Sequence, residues 1–243
     1  MSNRTVSQPI CDELFNIFTK AGRLNNAVSL RRLVAFYSNN ATFDDGSQQD
    51  TGEFLLAVTQ CIYEEVTQFN IAGRAMVNNF YGIDLRSRKF QTTHGKCPRC
   101  NHIPGSEEQP FQVLTLNVPN LQSNSMALSS LVISHFSESS DSTNIKCPTC
   151  CICISNCPQT GPCRPKPSVE QLSIVKTPDI LLINLNRHDI GTNKNQSHIV
   201  PDEFIYYKEE TFCLKATIDH IGSSQLSGHY IAHVKTTNGI WYT

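Results

Sequence analysis

Two pairs of cysteines have the type and spacing needed to bind a metal ion. Each pair lies in a Cys-Pro-x-Cys turn, at Cys97-Pro98-Arg99-Cys100 and at Cys147-Pro148-Thr149-Cys150. A turn of this kind directs two sulfurs toward one point, and two turns supply the four soft ligands that tetrahedral zinc prefers. We therefore predict a structural zinc site with four ligands: Cys97, Cys100, Cys147 and Cys150.

The ligands of the second turn have an alternative, because further cysteines follow it closely. The segment Cys150-Cys151-Ile152-Cys153 has a similar form and can supply the second pair of sulfurs. A second zinc ion is a further possibility. Its ligands would be Cys151, Cys153, Cys157 and Cys163. A surface loop rich in cysteine, proline and glycine explains the same residues without a second metal.

The distance between the two turns indicates what must position them. A short zinc finger leaves only about 12–20 residues between its ligand pairs, whereas residues 101–146 separate the two pairs here. Within that span, segment 111–118 alternates apolar and polar residues, which is the period of a half-buried strand. We therefore predict a zinc ribbon at the tip of a long β-hairpin arm.

The composition of the chain argues against two kinds of partner, nucleic acids and membranes. The 243 residues carry a net charge of −1, with 20 basic and 21 acidic side chains, so the basic excess typical of nucleic-acid binding is missing. No apolar run approaches the about 20 residues of a membrane-spanning helix. We expect neither a nucleic-acid nor a membrane partner. Because no secretory signal is visible, we expect an intracellular protein of the cytoplasm and/or nucleus, whose thiols stay reduced.

The first third of the chain has the pattern of three helices. The first begins near Pro9, and the second covers residues 29–37. The third begins where Asp50 and Glu53 have the spacing of a capping box. The apolar face of the first helix consists of Cys11, Leu14, Phe15 and Phe18, and that of the third of Phe54, Val58, Cys61 and Ile62. The cysteines on these faces are interpreted as small core residues rather than as nucleophiles.

From Phe90 onward the pattern changes to strands. The strands predicted in the second half cover residues 180–185, 204–207, 212–218 and 230–234. The last two flank a polar loop at 222–228, which we expect to be mobile. Helices come first and strands follow without βαβ alternation, which favours an α+β fold.

A histidine follows this polar loop directly, in the sequence Gly228-His229-Tyr230. Strand alternation places His229, Ile231 and His233 on one face of the strand and Tyr230, Ala232 and Val234 on the other. An imidazole on a rigid strand beside a glycine is accessible, and histidine is the commonest general base. By itself the pattern is weak, because such a histidine is more often packed or solvated.

Five motifs stand in an order that resembles the catalytic domain of the ubiquitin-specific proteases, the largest family of cysteine deubiquitinases. They are Gln48-Gln49-Asp50 with Glu53, the two cysteine turns, the segment 178–187, Gly228-His229-Tyr230, and Trp241-Tyr242. The resemblance extends from about Cys11 to Tyr242. It implies a single papain-like domain over residues 1–243, with a helical thumb (1–80), zinc-bearing fingers (81–176) and a palm that carries the histidine (177–243).

The resemblance also implies a reaction and a role for each site residue. The family hydrolyses the isopeptide bond after the ubiquitin tail, by attack of a cysteine thiolate whose proton a histidine takes. His229 corresponds to that base, and Gly228 and Tyr230 would lie near the ubiquitin tail. Asp50 and Glu53 would face the arginines of the tail, although both can instead cap the third helix. The partners implied are ubiquitin or ubiquitinated proteins, and the cofactor implied is structural zinc.

Two parts of the family's catalytic machinery have no match in this sequence. The family nucleophile lies in an Asn-x-Gly-Asn-Thr-Cys segment, and nothing similar precedes residue 48. The Asp or Asn that orients the histidine follows the Trp-Tyr pair, whereas the sequence ends at Thr243. The usual Lys-Arg-Phe is also replaced, by Asn186-Arg187-His188. We therefore expect this polypeptide to be inactive on ubiquitin conjugates, as an incomplete part of a longer active protease.

The alternative function is a non-catalytic, zinc-containing module that binds ubiquitin without cleaving it. A third interpretation is a zinc-stabilised interaction protein unrelated to ubiquitin. The intact Gly228-His229-Tyr230 motif favours the protease, because a binding module has no chemical need for the histidine.

Overall fold

A computed structural model describes most of the chain. The described residues are 9–19, 26–46, 49–69, 81–91, 95–122, 124–137, 145–150, 168–187, 194–222 and 228–243. Most of the loop predicted at 222–228 and the cysteine group at 151–163 lie outside them. The described helices are α1 (Pro9–Thr19), α2 (Asn26–Tyr37), α3 (Thr51–Phe69) and α4 (Leu128–Phe136), with a 3₁₀ turn at Ala41–Asp44.

The strands begin at Gly82, earlier than the change that the sequence predicts at Phe90. They are β1 (Gly82–Phe90), β2 (Ser106–Phe111), β3 (Val113–Asn117), β4 (Ser125–Ala127), β5 (Ser168–Lys176), β6 (Leu182–Asn186), β7 (His198–Val200), β8 (Phe204–Tyr207), β9 (Glu210–Cys213), β10 (Ala216–Ile221), β11 (His229–Lys235) and β12 (Trp241–Tyr242). The α+β class is confirmed, with parallel pairing between β3 and β6 and between β4 and β7.

The three N-terminal helices pack around one small core. Its buried members are Ile10, Val34, Ala35, Phe43, Val58 and Cys61. The predicted apolar face of α3 is confirmed, but the prediction for α1 is partly wrong. Phe15 and Phe18 are 68% and 78% exposed, and Ile10 is fully buried in their place. Leu14, one turn after Ile10, also contacts this core, so α1 faces its neighbours along the side that carries these two residues.

A carboxylate inside the helical core joins α1 to α3. Glu65 is only 8% exposed. Its two oxygens accept hydrogen bonds from the backbone N–H groups of Ile10 at 2.8 Å and Cys11 at 3.0 Å. The first N–H groups of a helix have no partner within the helix, so this remote side chain caps α1.

A three-stranded antiparallel sheet forms the predicted arm, in the order β2-β1-β5. The first cysteine turn lies between β1 and β2, and the second precedes β5. The assignment of segment 111–118 to this arm is wrong for most of its length. Phe111 ends β2 in the arm, whereas Val113–Asn117 pairs in parallel with Leu182–Asn186. The predicted alternation is confirmed, since Leu114 and Leu116 are buried. They belong to a core formed with α4, and strand periodicity does not reveal which neighbour a strand pairs with.

That second core joins distant parts of the chain. Its buried members are Leu114, Leu116, Val118, Leu128, Leu131, Val132, Phe136, Ile174, Ile199 and Ile205. The hairpin of β8 and β9 covers the outer edge of β5 at Ile174. The Ile174 N–H donates to the Tyr207 hydroxyl at 2.9 Å, and Lys208 Nζ donates to the Ile174 carbonyl at 2.7 Å. The division into thumb, fingers and palm at the stated residues stays a prediction.

The strand that carries His229 lies in a separate sheet, in the order β10-β11-β12. The strand predicted at 212–218 is two strands, because Glu210–Cys213 pairs with β8 whereas Ala216–Ile221 pairs with β11. The register of the second pair places His220 opposite Tyr230 and Ile221 opposite His229. In the described part of the chain, no helix has the length and apolar character needed to cross a membrane.

Candidate functional site

The structure brings the four predicted metal ligands together at the end of the arm. The sulfurs of Cys97, Cys100, Cys147 and Cys150 all lie within 4.8 Å of one another. Across the two turns, the sulfurs of Cys97 and Cys150 are 3.7 Å apart, and those of Cys100 and Cys147 are 3.5 Å apart. A tetrahedral zinc with Zn–S bonds of about 2.3 Å separates its sulfurs by about 3.8 Å. The four side chains therefore fit zinc.

Backbone N–H groups prepare these sulfurs for a metal. Hydrogen bonds from the N–H groups of Cys100 and Arg99 lower the pKa of Cys97 to about 6. At Cys147, burial raises the pKa, but hydrogen bonds from the N–H groups of Cys150 and Thr149 and from the neighbouring thiols together lower it. Burial, followed by the neighbouring thiols, raises the pKa of Cys150 to about 12. The first cysteine of each turn is thus the more readily ionised, and a metal is needed to ionise all four.

Asp50 has two structural partners at the start of α3. Its Oδ1 accepts a hydrogen bond from the Glu53 N–H at 2.9 Å, so the predicted helix cap is confirmed. Its Oδ2 accepts from the Tyr230 hydroxyl at 3.3 Å. Burial, and then the negative charge of Asp50, raise the pKa of Tyr230, which keeps this hydroxyl a donor. Asp50 and Tyr230 are therefore in direct contact, and Glu53 lies exposed in the first turn of the helix. Their roles in binding stay a prediction.

His229 is the first residue of β11 and is exposed to solvent. Its neighbour Tyr230 is half-buried. The predicted alternation is confirmed, because Tyr230 contacts His220 on one face while His233 contacts Asp219 at 3.4 Å on the other. Among the described residues, no cysteine sulfur makes a hydrogen bond to His229.

The two thiols of the N-terminal helices differ in burial. Cys61 belongs to the helical core, as predicted, whereas Cys11 is only partly buried and lies outside it. Burial, reinforced by a hydrogen bond with Glu65, raises the pKa of Cys11 to about 11. Burial also raises the pKa of Cys61, which is 3% exposed. A thiol that stays protonated is a poor nucleophile. Cys11 and Cys61 are therefore unsuited to act as nucleophiles.

Sequence reasoning missed two residues beside the histidine strand. The ring of His220 lies against Tyr230, with centroids 4.7 Å apart, and Lys194 Nζ lies 2.9 Å from His220 Nδ1. Neither residue belongs to a motif that we recognised. Only the register of β10 and β11 places His220 opposite Tyr230, and the number of residues in a long polar loop does not determine that register.

Comparison with known proteins identifies the family. The family model described as ubiquitin carboxyl-terminal hydrolase matches residues 4–243. Curated relatives include ubiquitin carboxyl-terminal hydrolase 23 of Arabidopsis thaliana, 23% identical over 83% of this chain and 23% of its own length. Ubiquitin carboxyl-terminal hydrolase 17-like protein A of Mus musculus is 26% identical over 83% of this chain and 38% of its own length.

Solved structures show the same fold. The SAGA DUB module of Ubp8, Sgf11, Sus1 and Sgf73 bound to monoubiquitin matches with a TM-score of 0.71 and 20% identity, over 97% of this chain and 53% of that chain. The module bound to ubiquitin aldehyde also matches with a TM-score of 0.71, at 19% identity, over 98% and 55% of the two chains. The chain thus spans about half of these structures and less than half of the curated relatives named above. Because the family model covers nearly all of its residues, the chain belongs to the ubiquitin carboxyl-terminal hydrolase family, whose ubiquitin-specific proteases its motifs resemble.

Proposed function

We propose that this chain is the ubiquitin-binding and histidine-bearing part of a thiol-dependent deubiquitinase. The supporting observation is the contact between Asp50 and Tyr230, which brings the first turn of α3 beside the strand that begins at His229. The reaction is hydrolysis of the isopeptide bond that follows the ubiquitin tail. The proposal also places the protein inside the cell, in the cytoplasm and/or nucleus, where zinc-binding thiols stay reduced.

In the proposed reaction, His229 moves protons and a cysteine forms the covalent bond. The imidazole takes the thiol proton, and the thiolate attacks the last carbonyl of ubiquitin. The imidazolium then gives this proton to the lysine nitrogen as the carbon–nitrogen bond breaks. The lysine amine departs, and ubiquitin remains joined to the cysteine as a thioester. His229 next takes a proton from water, whose oxygen attacks the thioester carbonyl. The carbon–sulfur bond breaks, ubiquitin leaves with a free carboxyl group, and the imidazolium returns its proton to the cysteine sulfur.

The 243 residues contain no Asn-x-Gly-Asn-Thr-Cys segment to supply the thiolate. We therefore propose that this polypeptide by itself binds ubiquitin but does not cleave conjugates. Loss of the nucleophile removes covalent catalysis and leaves binding alone. The observation that favours a protease over a dedicated binding module is the exposure of His229 at the start of a strand, where it can reach a substrate.

Recognition of the ubiquitin tail would depend on charge. Asp50 and Glu53 are both exposed on the first turn of α3, and ionised carboxylates pair strongly with the arginines of the tail. Gly228 and Tyr230 would lie along the same tail. The arm, with zinc at its tip, would hold the folded body of ubiquitin. Zinc supplies no chemistry to the reaction here, because four sulfurs leave it no open position.

Two experiments test this proposal. In the first, the zinc-loaded chain is titrated with ubiquitin and with ubiquitin that lacks its C-terminal tail. We expect binding of both, with the intact protein bound more tightly, and His229→Ala should leave the affinity for tail-less ubiquitin unchanged. Equal affinity for both forms would contradict the tail site, and no binding of either would reject ubiquitin as the partner.

In the second experiment, the same preparation is incubated with a fluorogenic ubiquitin-tail amide. We expect no turnover, because the thiolate is missing. Turnover by the purified 243-residue chain that disappears in His229→Ala would show that the chain itself catalyses the cleavage, and the proposed inactivity would be wrong.

A further inference from the structure

Lys194 is joined to the end of strand β10 by three hydrogen bonds. Its Nζ donates to His220 Nδ1 at 2.9 Å, to the His220 carbonyl at 2.7 Å and to the Gly222 carbonyl at 3.3 Å. An ammonium group donates and never accepts. Nδ1 of His220 is therefore the acceptor in the first of these bonds. The three bonds hold both the ring and the backbone that leaves β10.

The other nitrogen of the same ring lies against the start of β11. A Cβ placed on Gly228 would be 2.2 Å from His220 Nε2 and 2.5 Å from the Ile221 carbonyl oxygen. Real Cβ atoms essentially never come within 3.0 Å of such atoms, so only glycine fits at this position. The glycine of the Gly-His-Tyr motif is thus explained by its contact with His220 and with the strand beside it.

The His220 ring also contacts Tyr230, the residue that follows His229. His220 stands opposite Tyr230 in the ladder, with ring centroids 4.7 Å apart and planes inclined by 45°. Tyr230 in turn donates to Asp50. A continuous set of contacts therefore runs from Lys194 through His220 to Tyr230 and Asp50, and it holds the residues before and after His229.

We infer that His220, held by Lys194, is a positioning residue for His229. His220 contacts both Gly228 and Tyr230, the residues before and after His229. By holding the backbone at these two residues, it determines the position of the His229 Cα atom. His229 points to the opposite face of β11, so His220 acts through the backbone and touches no reacting atom. The inference rests on the proposed general-base role of His229.

The test uses the zinc-loaded 243-residue chain with its histidine rings and backbone amides labelled for NMR. Lys194→Met keeps the length of the side chain and removes the three donors. We expect the His229 ring signals and the Gly228 amide signal to shift. The His233 ring signals should stay in place, because Asp219 and Thr243 hold that residue independently. His220→Phe, which keeps a ring and removes its nitrogens, should shift the same signals.

The matched control is Lys215→Met, at an exposed lysine immediately before β10, which should leave all of these signals unchanged. A second readout is the affinity for ubiquitin. Lys194→Met should weaken binding of intact ubiquitin by about tenfold, which corresponds to about 1.4 kcal/mol, the size of one hydrogen bond. Binding of tail-less ubiquitin should stay unchanged.

Unchanged Gly228 and His229 signals in Lys194→Met would overturn the inference. Unfolding of the whole domain by this substitution would also overturn it, because the contacts would then have a general structural role. The NMR measurement needs no ubiquitin. Failure of the chain to bind ubiquitin would therefore reject the proposed function. The NMR measurement would still decide whether His220 positions His229.

Discussion

The hydroxyl of Tyr230 donates a hydrogen bond to Asp50 Oδ2 at 3.3 Å, joining residues that lie 180 positions apart in the chain. The other oxygen of Asp50 caps helix α3 through the Glu53 N–H. One carboxylate thus stabilises a helix and places that helix beside the histidine strand. The cap and the proposed binding of ubiquitin are therefore compatible roles of a single residue.

The two roles of Asp50 can be separated by substitution. Asp50→Ala removes the cap and should lower the free energy of unfolding by about 1 kcal/mol, measured by urea denaturation. Asp50→Asn keeps a capping oxygen, so its stability should change by less than about 0.5 kcal/mol. Both variants remove the charge and should weaken binding of intact ubiquitin by about tenfold or more.

The control for Asp50 is another capping aspartate. Asp202 Oδ2 accepts from the Ser129 N–H at the start of α4, at 2.7 Å. Asp202→Asn should leave ubiquitin affinity unchanged. Equal ubiquitin affinity in Asp50→Asn and the unsubstituted chain would show that Asp50 is a cap alone.

Zinc should bind in a ratio of one ion per chain, with the arm tip dependent on it. Native mass spectrometry should show one zinc in the unsubstituted chain and none in Cys97→Ser or Cys147→Ser. Removal of zinc by a chelator should lower the melting temperature, because metal-binding free energy contributes directly to folding. The matched control is Cys213→Ser, at a partly buried free thiol of β9, which should retain one zinc.

A zinc count of two would favour the alternative in which Cys151, Cys153, Cys157 and Cys163 hold a second ion. A melting temperature that does not respond to chelator would contradict the structural role of the metal.

Glu65 should be the most sensitive polar residue of the helical core. Glu65→Ala leaves the buried N–H of Ile10 and the partly buried N–H of Cys11 without their acceptors, and we expect a loss of about 3 kcal/mol in the free energy of unfolding, measured by urea denaturation. Glu65→Gln keeps one acceptor oxygen and should cost less. The adjacent Glu64 is exposed and pairs with Gln60, so Glu64→Ala should change stability by less than about 0.5 kcal/mol. Similar losses at positions 64 and 65 would contradict the capping of α1.

The Cys11 thiol should make stability fall in alkaline solution. Its pKa in the folded chain is about 11, against an ordinary value of 9.0. Between these values the unfolded chain loses the thiol proton and the folded chain keeps it, so stability is fully present below pH 9 and is lost as pH rises toward 11. Cys11→Ser removes the group that titrates. Its unfolding free energy should therefore fall less than that of the unsubstituted chain between pH 8 and pH 10.5, as measured by urea denaturation. Parallel curves for the two proteins would contradict the raised pKa.

The sequence alone predicted the features that depend on short-range spacing. The spacing of the two Cys-Pro-x-Cys turns identified the predicted metal ligands Cys97, Cys100, Cys147 and Cys150. Such a turn is local, because only two residues separate its cysteines. Capping chemistry located the start of α3 at Asp50, since the accepting carboxylate of Asp50 and the donating N–H of Glu53 lie three residues apart. The order of five motifs identified the family, which the family model confirms.

Tertiary structure alone decided which elements meet. Segment 113–117 has a clear strand period but pairs with β6 instead of lying in the arm, because apolar alternation is satisfied by any core of the right size. Phe15 and Phe18 have helical spacing but remain exposed, since α1 contacts its neighbours only along Ile10 and Leu14. The contacts of Tyr230 with Asp50 and His220 depend on the register of β10 and β11 and on the packing of α3. Such contacts join residues far apart in the chain, and no local pattern encodes them.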